Sequence, residues 1–236
     1  MDSLYIVMPA YNESANIRRV IEEWYPVLDG KSEESRIVVA DYGSKDDTHT
    51  ILVSLKESFP KLELLSNDNQ FHGPKVLALY KYAIQQKADY IFQTDSDGQT
   101  TPKDFDAFWN DRTKYVAQFG NRTVRGDGAD RAFVENVVCL LLKLYFKINV
   151  PDANAPYRLF HSSELNNYIS KIKPDYDLPN IILTAYYSYC KEQISFKEIT
   201  FKQRNGGVNS INIPRIIKIG FHALKDFRYY SKLIKG

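Results

Sequence analysis

Short β-branched apolar runs alternate with helical stripes through the first hundred residues. The runs are Leu4–Met8, Arg36–Ala40, Leu62–Leu65 and Tyr90–Thr94. Between them, Ile17, Val20, Ile21 and Trp24 fall at helical spacing. So do Ile51, Leu52, Leu55 and Phe59, and then Val76, Leu77, Tyr80, Ala83 and Ile84. Asp46, Asp47 and Thr48 stand where the second helix needs a cap. Strand–helix alternation with nearly continuous apolar strands predicts an α/β fold, a mainly parallel central sheet with helices on both faces. Ligands in such sheets bind beyond the carboxyl ends of the strands.

The second half is more mixed. Tyr115–Phe119, Pro156–Phe160 and Ile194–Lys202 read as strands, and Asp130–Lys147 as a long helix. Further helices are expected near Ile181–Tyr189 and over Pro214–Ile234, where Pro214 suits a first turn. No internal repeat and no Pro/Gly/Ser-rich linker interrupts the chain, so one domain is expected, followed by a terminal helix.

Composition changes this picture little. The 236 residues carry 31 Lys+Arg against 29 Asp+Glu, a net charge of +2, which argues against a nucleic-acid partner. Two distant cysteines, Cys139 and Cys190, form no disulfide framework; both sit in apolar runs and read as buried free thiols in a reducing, cytoplasmic setting. No basic leader opens the sequence. The longest apolar stretch, Val137 to Leu142, is broken by Lys143, too short to span a bilayer.

Candidate chemistry follows the strands. Pro9-Ala10-Tyr11-Asn12-Glu13 comes after the first, Asp41 through Thr48 after the second, and Asp95-Ser96-Asp97-Gly98-Gln99 after the fourth. No G-x-G-x-x-G follows the first strand and no P-loop occurs anywhere. The four histidines are widely spaced, which speaks against zinc. Asp95, Asp97 and Gln99 offer hard oxygen donors at i, i+2 and i+4, suited to Mg²⁺ or Mn²⁺, with a solvated turn as the alternative. D-x-D occurs three times, so the tripeptide alone selects nothing; only Asp95/Asp97 stands at a strand end. Asp104 and Asp106 fall at a helix start, where they offset the dipole.

These segments together resemble the family 2 glycosyltransferases of GT-A fold. Val7–Glu13 resembles that family's opening motif, Asp41–Thr48 its second, and Asp95–Gln99 its D-x-D motif. Gln99 with Pro102, Gly120-Asn121-Arg122, Asp152–Phe160 and Arg204–Ser210 are similar to the polyprenyl- and dolichol-phosphate sugar synthases. The resemblance covers residues 4 to 212. It implies a GT-A domain over 1–212, with a nucleotide-binding half (1–99) and an acceptor half (100–212), and a basic helix over 213–236. It implies that Pro9, Ala10, Tyr11 and Glu13 line a nucleoside site and that Asp41 accepts hydrogen bonds from the base. Lys75 would reach a phosphate, Asp95, Ser96 and Asp97 would meet the donor, with Asp95, Asp97 and Gln99 on the metal, and Arg204 would pair with diphosphate. A UDP-linked donor is favoured over a GDP-linked one, with inversion at the anomeric carbon. Tyr42 departs from the family's acidic pair, and Asn154–Tyr157 from its usual Gly-Phe segment.

The acceptor decides whether a base is needed. A sugar hydroxyl must lose a proton, for which Asp152 and Asp177 are candidates; their alternatives are a turn residue and a helix N-cap. A lipid phosphate needs cations instead, for which Arg122, Arg125, Arg131 and Arg158 are candidates, with surface ion pairs as the alternative. The expected acceptor is a glycan or lipid-linked saccharide in surface polysaccharide synthesis. The alternatives are a polyprenyl-phosphate sugar synthase, a non-catalytic nucleotide-sugar-binding protein and a nucleotidyltransferase. Residues 215–236 carry net +5 and the remainder −3. A basic amphipathic tail suits peripheral contact with the inner face of the cytoplasmic membrane, or packing on its own domain.

Overall fold

A computed structural model describes residues 1–66, 70–123, 129–203 and 213–235, and no side chain of 129–133 or 213–223 is described. The strands are β1 (Leu4–Pro9), β2 (Arg36–Ala40), β3 (Leu62–Leu64), β4 (Tyr90–Thr94), β5 (Ala117–Asn121), β6 (Tyr157–His161) and β7 (Ile194–Glu198). The helices are α1 (Ile17–Trp24), α2 (Thr48–Leu55), α3 (His72–Gln85), α4 (Phe105–Asn110), α5 (Ala129–Phe146), α6 (Ser162–Ile169), α7 (Pro179–Tyr189) and α8 (Ile213–Lys235). β5 starts two residues later than expected and β7 ends at Glu198. α6 is a further helix that the sequence reading does not include, although Leu165, Tyr168 and Ile169 form its buried apolar stripe.

One seven-stranded sheet runs β3-β2-β1-β4-β6-β5-β7. β1, β2, β3 and β4 are mutually parallel, β7 is parallel to β5, and β6 alone runs against its neighbours. Alternation along β1 explains the three layers. Leu4, Ile6 and Met8 face a core shared with α1, α2 and α4, while Tyr5 and Val7 face one shared with α3, α6, α7 and parts of α5 and α8.

Chain order reverses between β1 and β4, which opens a crevice at their carboxyl ends. The loops after β1, β2 and β4 emerge there. Because β5 is parallel to β4, Arg122 emerges there too. Because β6 is reversed, the segment before it, 152–156, arrives at the same edge rather than the far one.

The inner face of α8 is buried through Phe227, Tyr230 and Ser231. Phe227 meets Phe146 of α5 edge-on, ring centroids 6.3 Å apart, and the Tyr230 hydroxyl accepts from the Lys173 N–H at 3.1 Å. This part of the basic tail therefore packs on its own domain. Both cysteines are free thiols; Cys139 is half-buried, and Cys190 is exposed rather than buried, because it ends α7 at the surface.

Candidate active site

The first two loops are bonded into one surface. Asn12 adopts a left-handed conformation, φ 54°, and donates its N–H to Ser44 Oγ at 2.9 Å. Its Oδ1 accepts the Lys45 N–H at 2.7 Å, and the Ser44 hydroxyl donates to Asp41 Oδ1. The Glu13 N–H reaches Thr48 Oγ1 at 2.8 Å, and the Ser14 N–H reaches Asp46 Oδ2 at 3.1 Å. Desolvation works to raise the Asp46 pKa, but hydrogen bonds from Thr48 and Ser14 outweigh it and hold it at about 2. Glu13 is buried; its carbonyl accepts from Asn16 and Ile17, which starts α1. The fourth-strand loop joins them through the Ser96 hydroxyl, which donates to the Pro9 carbonyl at 2.8 Å.

Asp41 lies beneath this surface. Its second oxygen, Oδ2, is buried and has no hydrogen-bond partner among the described residues. His49 Nδ1 stands 3.6 Å from it, beyond hydrogen-bond length. A buried carboxylate oxygen left open is costly unless a ligand's N–H completes it. Tyr42, next to it in sequence, and Tyr11, on the loop after β1, are both exposed and offer ring faces. Lys75 is buried; its ammonium donates to the Ala10 carbonyl at 2.6 Å and sits 5.4 Å from the Tyr11 ring centroid. Burial lowers its pKa to about 8. The ammonium meant for a phosphate thus braces the first loop here.

At the end of β4, Gly98 takes φ +75°, and a Cβ there would lie 2.2 Å from an Arg19 guanidinium nitrogen. The turn it permits lets the Gln99 N–H reach Asp97 Oδ1 at 3.0 Å. Gln99 is buried, and its side-chain nitrogen donates to the Lys202 carbonyl at 2.9 Å, while the Lys202 N–H returns to the Gln99 carbonyl at 2.7 Å. That pair of bonds clamps the chain leading to residue 203 against the D-x-D loop. Asp95 lies 4.0 Å from His72 Nε2 at the start of α3. Gly73, next to His72, touches the backbone of the 176–177 loop, where a Cβ would meet the Tyr176 carbonyl at 2.2 Å. Asp177 is therefore an exposed carboxylate held against the same corner. It does not cap α7, whose N-cap is Leu178 with no side-chain bond.

Two expected acceptor cations are bonded internally. Arg122 and Asp152, candidates for different tasks, form a bidentate pair at 2.7 and 2.8 Å, with Glu135 Oε2 3.2 Å from the same guanidinium. Asp152 also accepts the backbone N–H groups of Arg122 and Asn154, so the turn reading holds. Burial works to raise its pKa, but the bonds and charge of Arg122 prevail and hold it below the usual carboxylate value, which weakens it as a base. Arg158 is wholly buried. It donates to the carbonyls of Ala153, Ala155 and Asn180 and to the Thr184 hydroxyl, and lies 5.0 Å from the Phe119 ring centroid. Burial lowers its pKa to about 10. It ties the 152–156 segment to α7 from within the core. The side chains of Arg125, Arg131 and Arg204 lie outside the described residues. Glu135, whose Oε1 accepts the Ala153 N–H at 2.7 Å, carried no sequence signal beyond its place in a helix.

Among the described residues no cluster of three or more His, Cys, Asp or Glu could by itself hold a metal. Two carboxylates suit an ion that completes its shell with substrate phosphate and water, as Mg²⁺ does. Asp95 and Asp97 fit that description, both at the end of β4.

Comparison with known proteins agrees with this geometry. The family model for glycosyl transferase family 2 matches residues 5–166. A dolichyl-phosphate beta-glucosyltransferase of Trichomonas vaginalis is 26% identical over 108 residues, 44% of this chain and 33% of that protein. The succinoglycan biosynthesis protein ExoA of Rhizobium meliloti is 31% identical over 103 residues, 44% of this chain and 30% of its own length. The chain thus spans about a third of the length of these curated relatives. Glucosyl-3-phosphoglycerate synthase from Mycobacterium tuberculosis, solved with Mn²⁺ and UDP-glucose, shares the fold with a TM-score of 0.67 at 17% identity, covering 96% of this chain and 79% of that one.

Proposed function

The chain belongs to glycosyltransferase family 2, and on that premise we propose that it transfers a sugar from a UDP-linked donor, with a divalent ion, to a glycan or lipid-linked saccharide. Inversion at the anomeric carbon and a part in surface polysaccharide synthesis complete the reading.

The buried, unpartnered Asp41 Oδ2 carries it. Asp41 has one oxygen satisfied by Ser44 and one open, so it presents a single acceptor. Uracil offers one ring N–H between two carbonyls, whereas guanine offers two adjacent donors. The donor set therefore favours UDP. Tyr11 and Tyr42 suit stacking on the base. Asp95 and Asp97 would hold Mg²⁺ or Mn²⁺, which supplies positive charge where negative charge grows on the leaving diphosphate. Arg204, two positions beyond Lys202 in the sequence, would supply a second cation for those oxygens.

Replacing Asp41 with alanine is expected to weaken UDP binding about 10- to 100-fold, the range of a hydrogen bond to a charged group. Ser44→Ala, which leaves the carboxylate in place, is the control. Calorimetry with UDP and GDP checks both; equal affinity of the unaltered chain for the two nucleotides sinks the reading.

A hydroxyl acceptor needs a base, and Asp177 is the exposed carboxylate at that corner, Asp152 being held by Arg122. The dolichyl-phosphate relative favours a second reading, an acceptor that is already an anion and needs none. Asp177→Ala separates them. It is expected to lower transfer to a saccharide hydroxyl about 10²–10⁴-fold while leaving donor binding intact. Transfer to a polyprenyl phosphate that survives this substitution selects the second reading.

A further inference from the structure

Apart from Lys143, α5 is apolar throughout its second half. Leu142 and Phe146 are fully buried on the inner side, and Val138 packs beside them. On the opposite side Val137, Leu140 and Leu144 are 39%, 56% and 58% exposed. These three sit at i, i+3 and i+7, one continuous stripe. An apolar stripe on the side of a helix opposite its buried face is ordinarily covered, and nothing within the described chain covers this one.

Cations border the stripe. Lys143 is exposed on the same helix, and Lys147 follows directly after it. The Lys235 ammonium, from α8, donates to the Tyr145 carbonyl at 2.8 Å, one residue from Leu144. The exposed side of α8 adds Lys225, Arg228 and Lys232, with Tyr229 and Leu233 also exposed among them. Acidic groups are scarce. Residues 136–151 contain no Asp or Glu, α8 has only the partly buried Asp226, and Glu135 is turned inward to Arg122.

We infer that the outward face of α5, bordered by the lysines of α5 and α8, docks on the surface of an anionic lipid bilayer. Such a surface offers both things this face lacks. Leucines enter the headgroup–acyl boundary, and lysines lay their stems along it with the ammonium on lipid phosphate. A second copy of the chain would answer the leucines but set lysine against lysine. No helix among the described residues is long and apolar enough to cross a membrane, so the contact is peripheral. It uses none of the strand-end loops and stands whichever acceptor is correct.

Sedimentation of the full chain with vesicles tests it, using phosphatidylcholine alone and phosphatidylcholine mixed with phosphatidylglycerol. The chain is expected to bind the anionic vesicles selectively, and less as salt is raised. Leu140→Gln and Leu144→Gln should each weaken binding about tenfold, and Lys143→Gln about fivefold. Thermal unfolding and UDP binding should be unchanged in all three, since the positions are exposed and far in sequence from the nucleotide loops. Equal affinity for both vesicle types, no binding, or binding that the substitutions leave intact overturns the inference. So does a dimer by light scattering that Leu140→Gln converts to monomer, which would give this face to a second copy.

Discussion

Replacing Asp97 with alanine is expected to lower sugar transfer about 10²–10³-fold, the range seen when one preorganised electrostatic stabiliser is removed. Asp97 is placed by backbone rather than by packing. Gly98 at φ +75° turns the chain, and the Gln99 N–H bonds the carboxylate at 3.0 Å. The substitution therefore removes charge without opening the core. Thermal shifts with UDP and Mn²⁺ give the second readout. A ligand at a hundred times its dissociation constant stabilises by about 2.7 kcal/mol. The unaltered chain should gain more from UDP with Mn²⁺ than from UDP alone, and Asp97→Ala should lose only that metal-dependent part. Base recognition by Asp41 should survive, because Asp41 and Asp97 leave different strands. Equal turnover in the variant would remove the D-x-D loop from the chemistry. Donor binding with no turnover by the unaltered chain, whatever saccharide or lipid acceptor is supplied, would select the non-catalytic binding protein instead.

The gathering of the strand-end loops, proposed above for the donor, was legible because it is local. Each of β1, β2 and β4 is an apolar run followed at once by a polar loop, and parallel order brings those loops to one edge. The joining of Arg122 to the 152–156 segment was not, because it depends on strand direction. The Asp152–Tyr157 segment precedes its strand, so a parallel β6 would have put it at the far edge; only the reversed β6 brings it beside Arg122. Nothing in the residues of β6 states that direction. Arg122 and Asp152 are 30 positions apart and, read separately, suit different acceptors, although they neutralise one another. Arg158 did leave a signal that charge alone obscured. On a strand it shares a face with Phe160, two residues on, and Phe160 belongs to the core against α7. A cation at that register reads as buried and bonded to carbonyls, not as a surface site.

That pairing carries the other large effect. Arg122→Met, which keeps most of the stem, is expected to destabilise the fold by about 3–5 kcal/mol, the usual consequence of stranding a buried charge. The Arg122, Asp152 and Glu135 side chains are 6%, 3% and 11% exposed, so little water replaces the lost guanidinium. Two carboxylates would then share one desolvated site, where neither ionises easily. The pH dependence follows from the sign. In the unaltered chain Asp152 has a folded pKa below its unfolded value near 3.8, so its stabilisation is present above that value and is lost as pH falls through the lowered folded one. In Arg122→Met the carboxylates are pushed up instead, so acidification towards their raised values relieves the variant while the parent is still fully stabilised. The gap between the two should therefore shrink as pH falls. Urea unfolding at a series of pH values measures it. Were Arg122 only an acceptor-binding cation, its loss would raise the acceptor KM and leave the unfolding midpoint where it was. A variant that unfolds with its parent across the series, and differs from it in KM alone, would break the pairing argument and return Asp152 to the list of bases.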